Sequence, residues 1–208
     1  NQQAQIQNNL GIVHFRLRKY DKAKLFYSDA RSKYERINSR IGLANATTNL
    51  GEVLLAEGEY EAALKCWSEA KALYALMENP HALAESCLHI ANALSRLGDV
   101  DGMQAQLEEA ENIIDGNALE MFRGKLHFLR GVAKLNQREL VAASESFETV
   151  RTLYGAEKAN ELLWLATLRL AESLMQQGNH AEAVTCVEEV LNNPEAFKRS
   201  HLIAEAEY

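Results

Sequence analysis

Proline is scarce in this chain. Only Pro80 and Pro194 occur among its 208 residues, which removes the main obstacle to an almost wholly helical fold. Positive charge is also in deficit. A net charge of −7 argues against a nucleic-acid-binding surface, whose affinity rests mainly on cations meeting phosphates; only a local basic patch would escape that average. Long apolar runs are missing as well. The strongest, Leu162-Leu163-Trp164-Leu165-Ala166, is far short of the roughly 18 residues that span a bilayer, so no membrane partner is expected. Three cysteines, Cys66, Cys87 and Cys186, cannot all pair within the chain, and no Cys-x-x-Cys is present for a metal. Each falls on an expected helix among apolar neighbours and reads as a reduced, small core residue, which implies a reducing, cytoplasmic compartment. No secretory signal is visible. The 47% hydrophobic content is ordinary for a globular protein.

What the sequence does have is a repeat. In Asn49–Ala70, apolar and small residues recur at helical spacing: Leu50, Gly51, Leu54 and Leu55, then Tyr60, Ala63, Leu64, Trp67 and Ala70. Gly58 lies between the two runs, where a helix has to stop and reverse, and a left-handed residue there costs glycine little. The stretch therefore predicts two antiparallel amphipathic helices with a tight turn. The pattern recurs every 40 residues. Gly11, Gly51, Ala91, Gly131 and Ala171 share one small position; Ala23, Ala63, Met103, Ala143 and Ala183 share another. Tyr27, Trp67, Leu107, Phe147 and Val187 share a large apolar position, and Ala30, Ala70, Ala110, Val150 and Val190 a further small one. Five copies in unbroken register signal a stacked array.

The Leu-Gly pair, the following Gly-x-Tyr-x-x-Ala, an aromatic four residues on and a small residue three beyond it resemble the tetratricopeptide repeat. The usual unit is 34 residues, and this longer variety looks like the repeats of kinesin light chains, of Leu-Gly-Asn-type spindle scaffolds and of bacterial signalling and transcription regulators. The joint Asn38-Ser39-Arg40-Ile41-Gly42-Leu43-Ala44 most resembles the last of these. The resemblance implies an all-α, right-handed solenoid of antiparallel helix pairs in one array over residues 1–208. Its repeats are expected at about 1–39, 40–79, 80–116, 117–157 and 158–193, with 194–208 a capping helix or the start of a sixth. Helices are expected at about 2–17 and 20–37, 40–57 and 60–78, 80–97 and 100–114, 117–137 and 140–154, 158–177 and 180–192. Because Asn1 and Tyr208 both cut the pattern inside an element, neighbouring domains of a longer chain are expected.

The copies are unequal. Repeat three has Val100 for the tyrosine, Gly102 inside a helix and Met103 for the alanine. Repeats one and four carry Arg18 and Arg138 where glycine makes the turn. A left-handed arginine costs about 1–2 kcal/mol, so those two turns are expected to be built differently.

No catalytic constellation stands out, and the reading is of a non-enzyme without cofactor or metal. The six histidines are scattered, none at the i, i+4 spacing of a helical metal site. His14 takes a position held by Leu54, Leu94 and Leu174 and reads as a packing residue. Glu108, Glu109, Glu111, Glu188 and Glu189 read as solvated outer-face residues. In the family the first helix of each pair lines the inner wall, which implies a partner-binding row of Asn8, Asn45, Asn49, Glu52, Glu85, His89, Asn92, Arg96, Lys125 and Phe128. A side-chain amide pairs with both the N–H and the C=O of an extended peptide. Arg16, Arg96 and Lys125 suit acidic groups, Glu52 and Glu85 basic ones, and Phe128 an apolar anchor. The plainer reading has the asparagines capping backbone or facing water, Glu52 pairing with Arg96, and Phe128 in the core. Ile12 and Asn8 depart from the lysine–asparagine clamp by which some relatives hold a C-terminal carboxylate, so that clamp is expected to be absent. The function expected is a protein- or peptide-binding module of a larger regulatory protein; the alternative is a structural spacer with no specific ligand.

Overall fold

The computed structural model describes residues 2–155 and 160–193. Ten α-helices account for most of them: α1 (Gln2–Arg16), α2 (Tyr20–Arg36), α3 (Arg40–Ala56), α4 (Tyr60–Leu76), α5 (Pro80–Leu97), α6 (Val100–Gly116), α7 (Arg123–Asn136), α8 (Leu140–Tyr154), α9 (Glu161–Gln177) and α10 (His180–Leu191). They form two compact units, residues 1–119 and 120–208. Each is a stack of antiparallel helix pairs, the all-α solenoid class that the repeat implies.

Three of the pairs are closed by one device. In pair one, a Cβ on Gly11 would lie 2.5 Å from the Tyr27 ring; in pair two, one on Gly51 would lie 2.6 Å from Trp67 Nε1; in pair four, one on Gly131 would lie 2.5 Å from Phe147. Tyr27, Trp67 and Phe147 are fully buried by this contact. A second large-on-small pairing holds the opposite end of the same three hairpins. Tyr34 packs with Ala4 and Tyr74 with Ala44, and the Tyr154 ring fills the space beside Gly124. In pair five buried Trp164 stands where α1, α3 and α7 have Ala4, Ala44 and Gly124, and it packs with Val190.

Within each unit, successive pairs join through the second helix of one and the first helix of the next. Ala30 and Tyr34 of α2 cluster with Leu43 and Ala46 of α3. Ala143, Phe147 and Val150 of α8 cluster with Ala166 and Leu170 of α9. The outer faces of the second helices are linked by ion pairs at a constant offset: Arg31 to Glu69 at 2.7 Å, Lys71 to Glu109 at 2.6 Å and Arg151 to Glu189 at 2.6 Å. Glu109 and Glu189, read from sequence as merely solvated, are thus partners of a cation one pair earlier.

Two expectations need correction. The turns at Arg18 and Arg138 are not built differently: both residues are left-handed, at φ 55° and 60°, like Gly58, Gly98 and Gly178 at 75–84°. The turns between pairs share the form, with Asn38, Glu78 and Ala118 at φ 49–52°. The left-handed positions 18, 38, 58, 78, 98, 118, 138 and 178 keep a twenty-residue register. At each, the next residue's N–H reaches back five residues to a helix carbonyl, at 2.8–3.2 Å, as from Lys19 to His14 and from Glu139 to Lys134. This Schellman closure satisfies carbonyls that the helix end would otherwise orphan. The second correction is at repeat four, where the helix does not begin near 117. Residues Glu120–Phe122 form a 3-10 turn and α7 starts only at Arg123. The expected start of α9 at 158 and the helix expected from Pro194 lie outside the described residues.

Pro80 opens α5, where its missing N–H costs nothing, and Asn79 caps the same helix by accepting from the Ala82 N–H. Asp99 and Asn160 cap α6 and α9 in the same way. Cys66, Cys87 and Cys186 are buried free thiols. His14 is a half-buried packing residue, stacked 5.1 Å from the Phe26 ring. No helix among the described residues is long and apolar enough to cross a membrane.

Candidate functional site

The first unit brings eight of the ten sequence-selected residues onto its first helices: Asn8 on α1, Asn45, Asn49 and Glu52 on α3, and Glu85, His89, Asn92 and Arg96 on α5. Lys125 and Phe128 lie on α7 of the second unit.

The asparagines do not cap backbone. Asn49 donates through Nδ2 to Asn8 Oδ1 at 3.0 Å, tying α3 to α1. That bond uses one donor of Asn49 and the acceptor of Asn8. It leaves the amide N–H groups of Asn8 and the carbonyl of Asn49 turned to other uses, on two half-buried side chains. Asn45 accepts from the Tyr74 hydroxyl at 2.8 Å, and Thr48 Oγ1 lies 3.3 Å from the same hydroxyl. Asn92 is half-buried and makes no hydrogen bond to another described residue. Arg96 is exposed near the end of α5.

Aromatic side chains of the second helices reach through to this wall, which reasoning confined to the first helices missed. The Trp67 indole donates to the Thr48 carbonyl at 3.2 Å and stacks on His89 with ring centroids 4.9 Å apart. His89 Nε2 is 3.9 Å from a Glu85 carboxylate oxygen. Burial pushes the Tyr74 hydroxyl pKa up, the Thr48 hydrogen bond opposes this, and the Glu85 charge adds to it. Tyr27 is pushed up in the same way, chiefly by burial and then by Glu52, with Arg16 opposing. Both tyrosines therefore stay protonated at neutral pH, and Tyr74 is the donor to Asn45. The signal was present in the sequence: Tyr34, Tyr74 and Tyr154 share one place in the repeat.

In the second unit, Phe128 is half-buried and tilts against Phe147 at 5.9 Å, on the margin of the core between α8 and α9. It is partly a core residue, as its plainer reading held. Among the described residues no group of histidine, cysteine and carboxylate side chains is placed to hold a metal.

A tetratricopeptide repeat family model matches residues 2–76, and another tetratricopeptide repeat model matches residues 164–189. Within these stretches the hairpins are of the tetratricopeptide type. No curated protein matches the sequence. Among solved structures, a Rap protein complexed with Competence and Sporulation Factor is similar at 15% identity, TM-score 0.86, over 98% of this chain and 57% of that one. The Rap conjugation gene regulator of plasmid pLS20, in complex with the Phr* peptide, is similar at 17% identity, TM-score 0.83, over 97% and 56%. The repeats of a putative kinesin light chain from Podosopora anserina are similar at 16% identity, TM-score 0.70, over 94% and 96%. The chain spans little more than half the length of the two Rap proteins.

Proposed function

We propose that this chain is the ligand-binding part of a cytoplasmic regulatory protein, and that the α1–α3–α5 wall receives an extended peptide segment of a protein partner. The observation that carries this is the Asn8–Asn49 pair, which is fixed across two repeats by its own bond and still offers both N–H and C=O. An extended backbone needs that combination at each residue it presents. Asn92 extends the row to α5, with Glu52 and Glu85 for basic groups and Arg16 and Arg96 for acidic ones. In the second unit, Phe128 and Lys125 on α7 are candidate contacts of their own, an apolar anchor and a cation. The Rap proteins were solved with Competence and Sporulation Factor and with the Phr* peptide, which supports a peptide ligand here. No enzymatic step is part of this reading, nor is a nucleic-acid ligand.

The spacer reading draws support from the same bonds, because Asn45 and Asn49 already work inside the fold. Asn92 separates the two readings. A peptide selected from a random library on the purified chain is titrated against wild type and Asn92→Ala, and against Asn49→Ala with Asn92→Ala. At least tenfold weaker binding by the double variant, about 1.4 kcal/mol, with Asn92→Ala keeping the wild-type melting temperature, supports the groove. Failure to select any peptide, or unchanged affinity in both variants, favours the spacer.

A further inference from the structure

Helix α4 holds the wall residues of α3 at three points. The Trp67 indole donates to the Thr48 carbonyl at 3.2 Å, while the Tyr74 hydroxyl lies 2.8 Å from Asn45 Oδ1 and 3.3 Å from Thr48 Oγ1. A phenol has one proton to donate. Given to Asn45, it leaves the phenol oxygen to accept from the Thr48 hydroxyl, so the bonds run from Thr48 to Tyr74 to Asn45. Tyr74 is buried whereas Asn45 is exposed. Whatever the hydroxyl does for a ligand it does through that amide.

A side-chain amide has a donor end and an acceptor end, and the end engaged inside the fold decides which one is left for a ligand. The Asn45 carbonyl is engaged by Tyr74 and the Asn8 carbonyl by Asn49 Nδ2. Both residues therefore present N–H groups. Asn49 has given a donor to Asn8 and keeps its carbonyl. It lies between the other two, bonded to Asn8 and one helical turn from Asn45. Flipping the Asn45 amide would set N–H against the buried Tyr74 hydroxyl and leave that donor without an acceptor, which is costly in a buried place. The preceding hairpin has no such lock. Gln5 stands at the place of Asn45, and Tyr34, at the place of Tyr74, packs with Ala4 and bonds no wall residue among those described.

We infer that Tyr74 is a positioning residue of the peptide wall, holding the Asn45 carbonyl so that the wall offers a donor at Asn8, an acceptor at Asn49 and a donor at Asn45. The inference rests on the reading of this wall as a peptide site and adds the order of groups the ligand must present. Two backbone carbonyls flank an N–H, and the residue facing Asn49 has that N–H intact. Proline, which lacks the donor, is excluded there.

The test takes a peptide selected from a random library on the purified 208-residue chain and titrates it against Tyr74→Phe, Asn45→Ala and the two combined. Tyr74→Phe keeps the buried ring and removes only the hydroxyl. It is expected to weaken binding at least threefold, and to have no further effect once Asn45 is alanine, because the hydroxyl acts through that amide. Tyr34→Phe, the same change one hairpin earlier, is expected to leave affinity unchanged. On the ligand side, an ester in place of a backbone amide weakens its carbonyl as an acceptor. In a series of such peptides, the ester facing Asn45 is expected to cost the wild type at least threefold and Tyr74→Phe less. Unchanged affinity in Tyr74→Phe, an equal loss in Tyr34→Phe, losses that add in the double variant, or ester costs that are the same in both chains overturn the inference while the peptide site stands. A chain that selects no peptide overturns both.

Discussion

A Cβ placed on Gly51 would fall 2.6 Å from Trp67 Nε1, so the second hairpin closes only because position 51 has no side chain. The indole is fully buried against this gap and donates to the Thr48 carbonyl one turn earlier on α3. Glycine here makes room for a close approach.

Trp67→Ala is expected to cost roughly 3–5 kcal/mol through the cavity it leaves. Gly51→Ala is expected to cost about 1–3 kcal/mol by overpacking. The two share one space, so the double variant should lose less than the sum of the singles. Chemical denaturation of the four proteins checks this, and strict additivity would show that residue 51 acts only through helix propensity.

The left-handed turns supply a second expectation. Ala118 and Arg138 hold φ values of 52° and 60°, a conformation that costs a non-glycine residue about 1–2 kcal/mol. Ala118→Gly and Arg138→Gly should each raise stability by up to about 1 kcal/mol, after the greater unfolded-state freedom of glycine is subtracted. Asn38→Gly should gain less, since asparagine tolerates this region. Gly58→Ala, at φ 80°, should lower stability. Thermal melts of the four variants decide the order.

Both results bear on what a sequence discloses. The helix pairs were legible because close approach forces small residues opposite large ones, and Gly11, Gly51 and Gly131 recur against Tyr27, Trp67 and Phe147. The turns at Arg18 and Arg138 were not, because two packed helices impose the backbone angle on whatever residue lies between them. The delayed start of α7 was hidden for a related reason: residues 117–122 keep the repeat's spacing, while Glu120–Phe122 adopt a 3-10 turn. On the wall, the rows of asparagine were visible, but their partners were not. Asn8 meets Asn49 across neighbouring repeats, and the Tyr74 hydroxyl arrives from a helix assigned to the other face.

Alkali provides a third expectation. Burial pushes the Cys87 thiol up to about 11, with the Lys71 charge opposing and the Glu109 charge assisting. A free thiol in the unfolded chain titrates near 8.5. The native state therefore favours the neutral form. Its contribution is fully present below about pH 8.5 and is lost as pH rises toward 11. Urea midpoints between pH 7 and pH 10.5 should fall above about pH 8.5, and Cys87→Ala should flatten that fall. An identical slope in the variant would assign the alkaline loss to the other buried thiols, Cys66 and Cys186, and to the buried tyrosines.

The twenty-residue spacing of the left-handed turns limits how such a chain can change length. One residue inserted within α4 would swing every later side chain of that helix by about 100°. Ala70 and Tyr74 would leave their neighbours while the turn at Glu78 kept its own closure. Twenty added residues would preserve every turn but exchange the roles of the two kinds of helix, setting aromatic against aromatic. Forty restore both patterns at once. Drift by single residues is thus penalised within each helix, whereas whole hairpins can be gained or lost with little disturbance to those that stay.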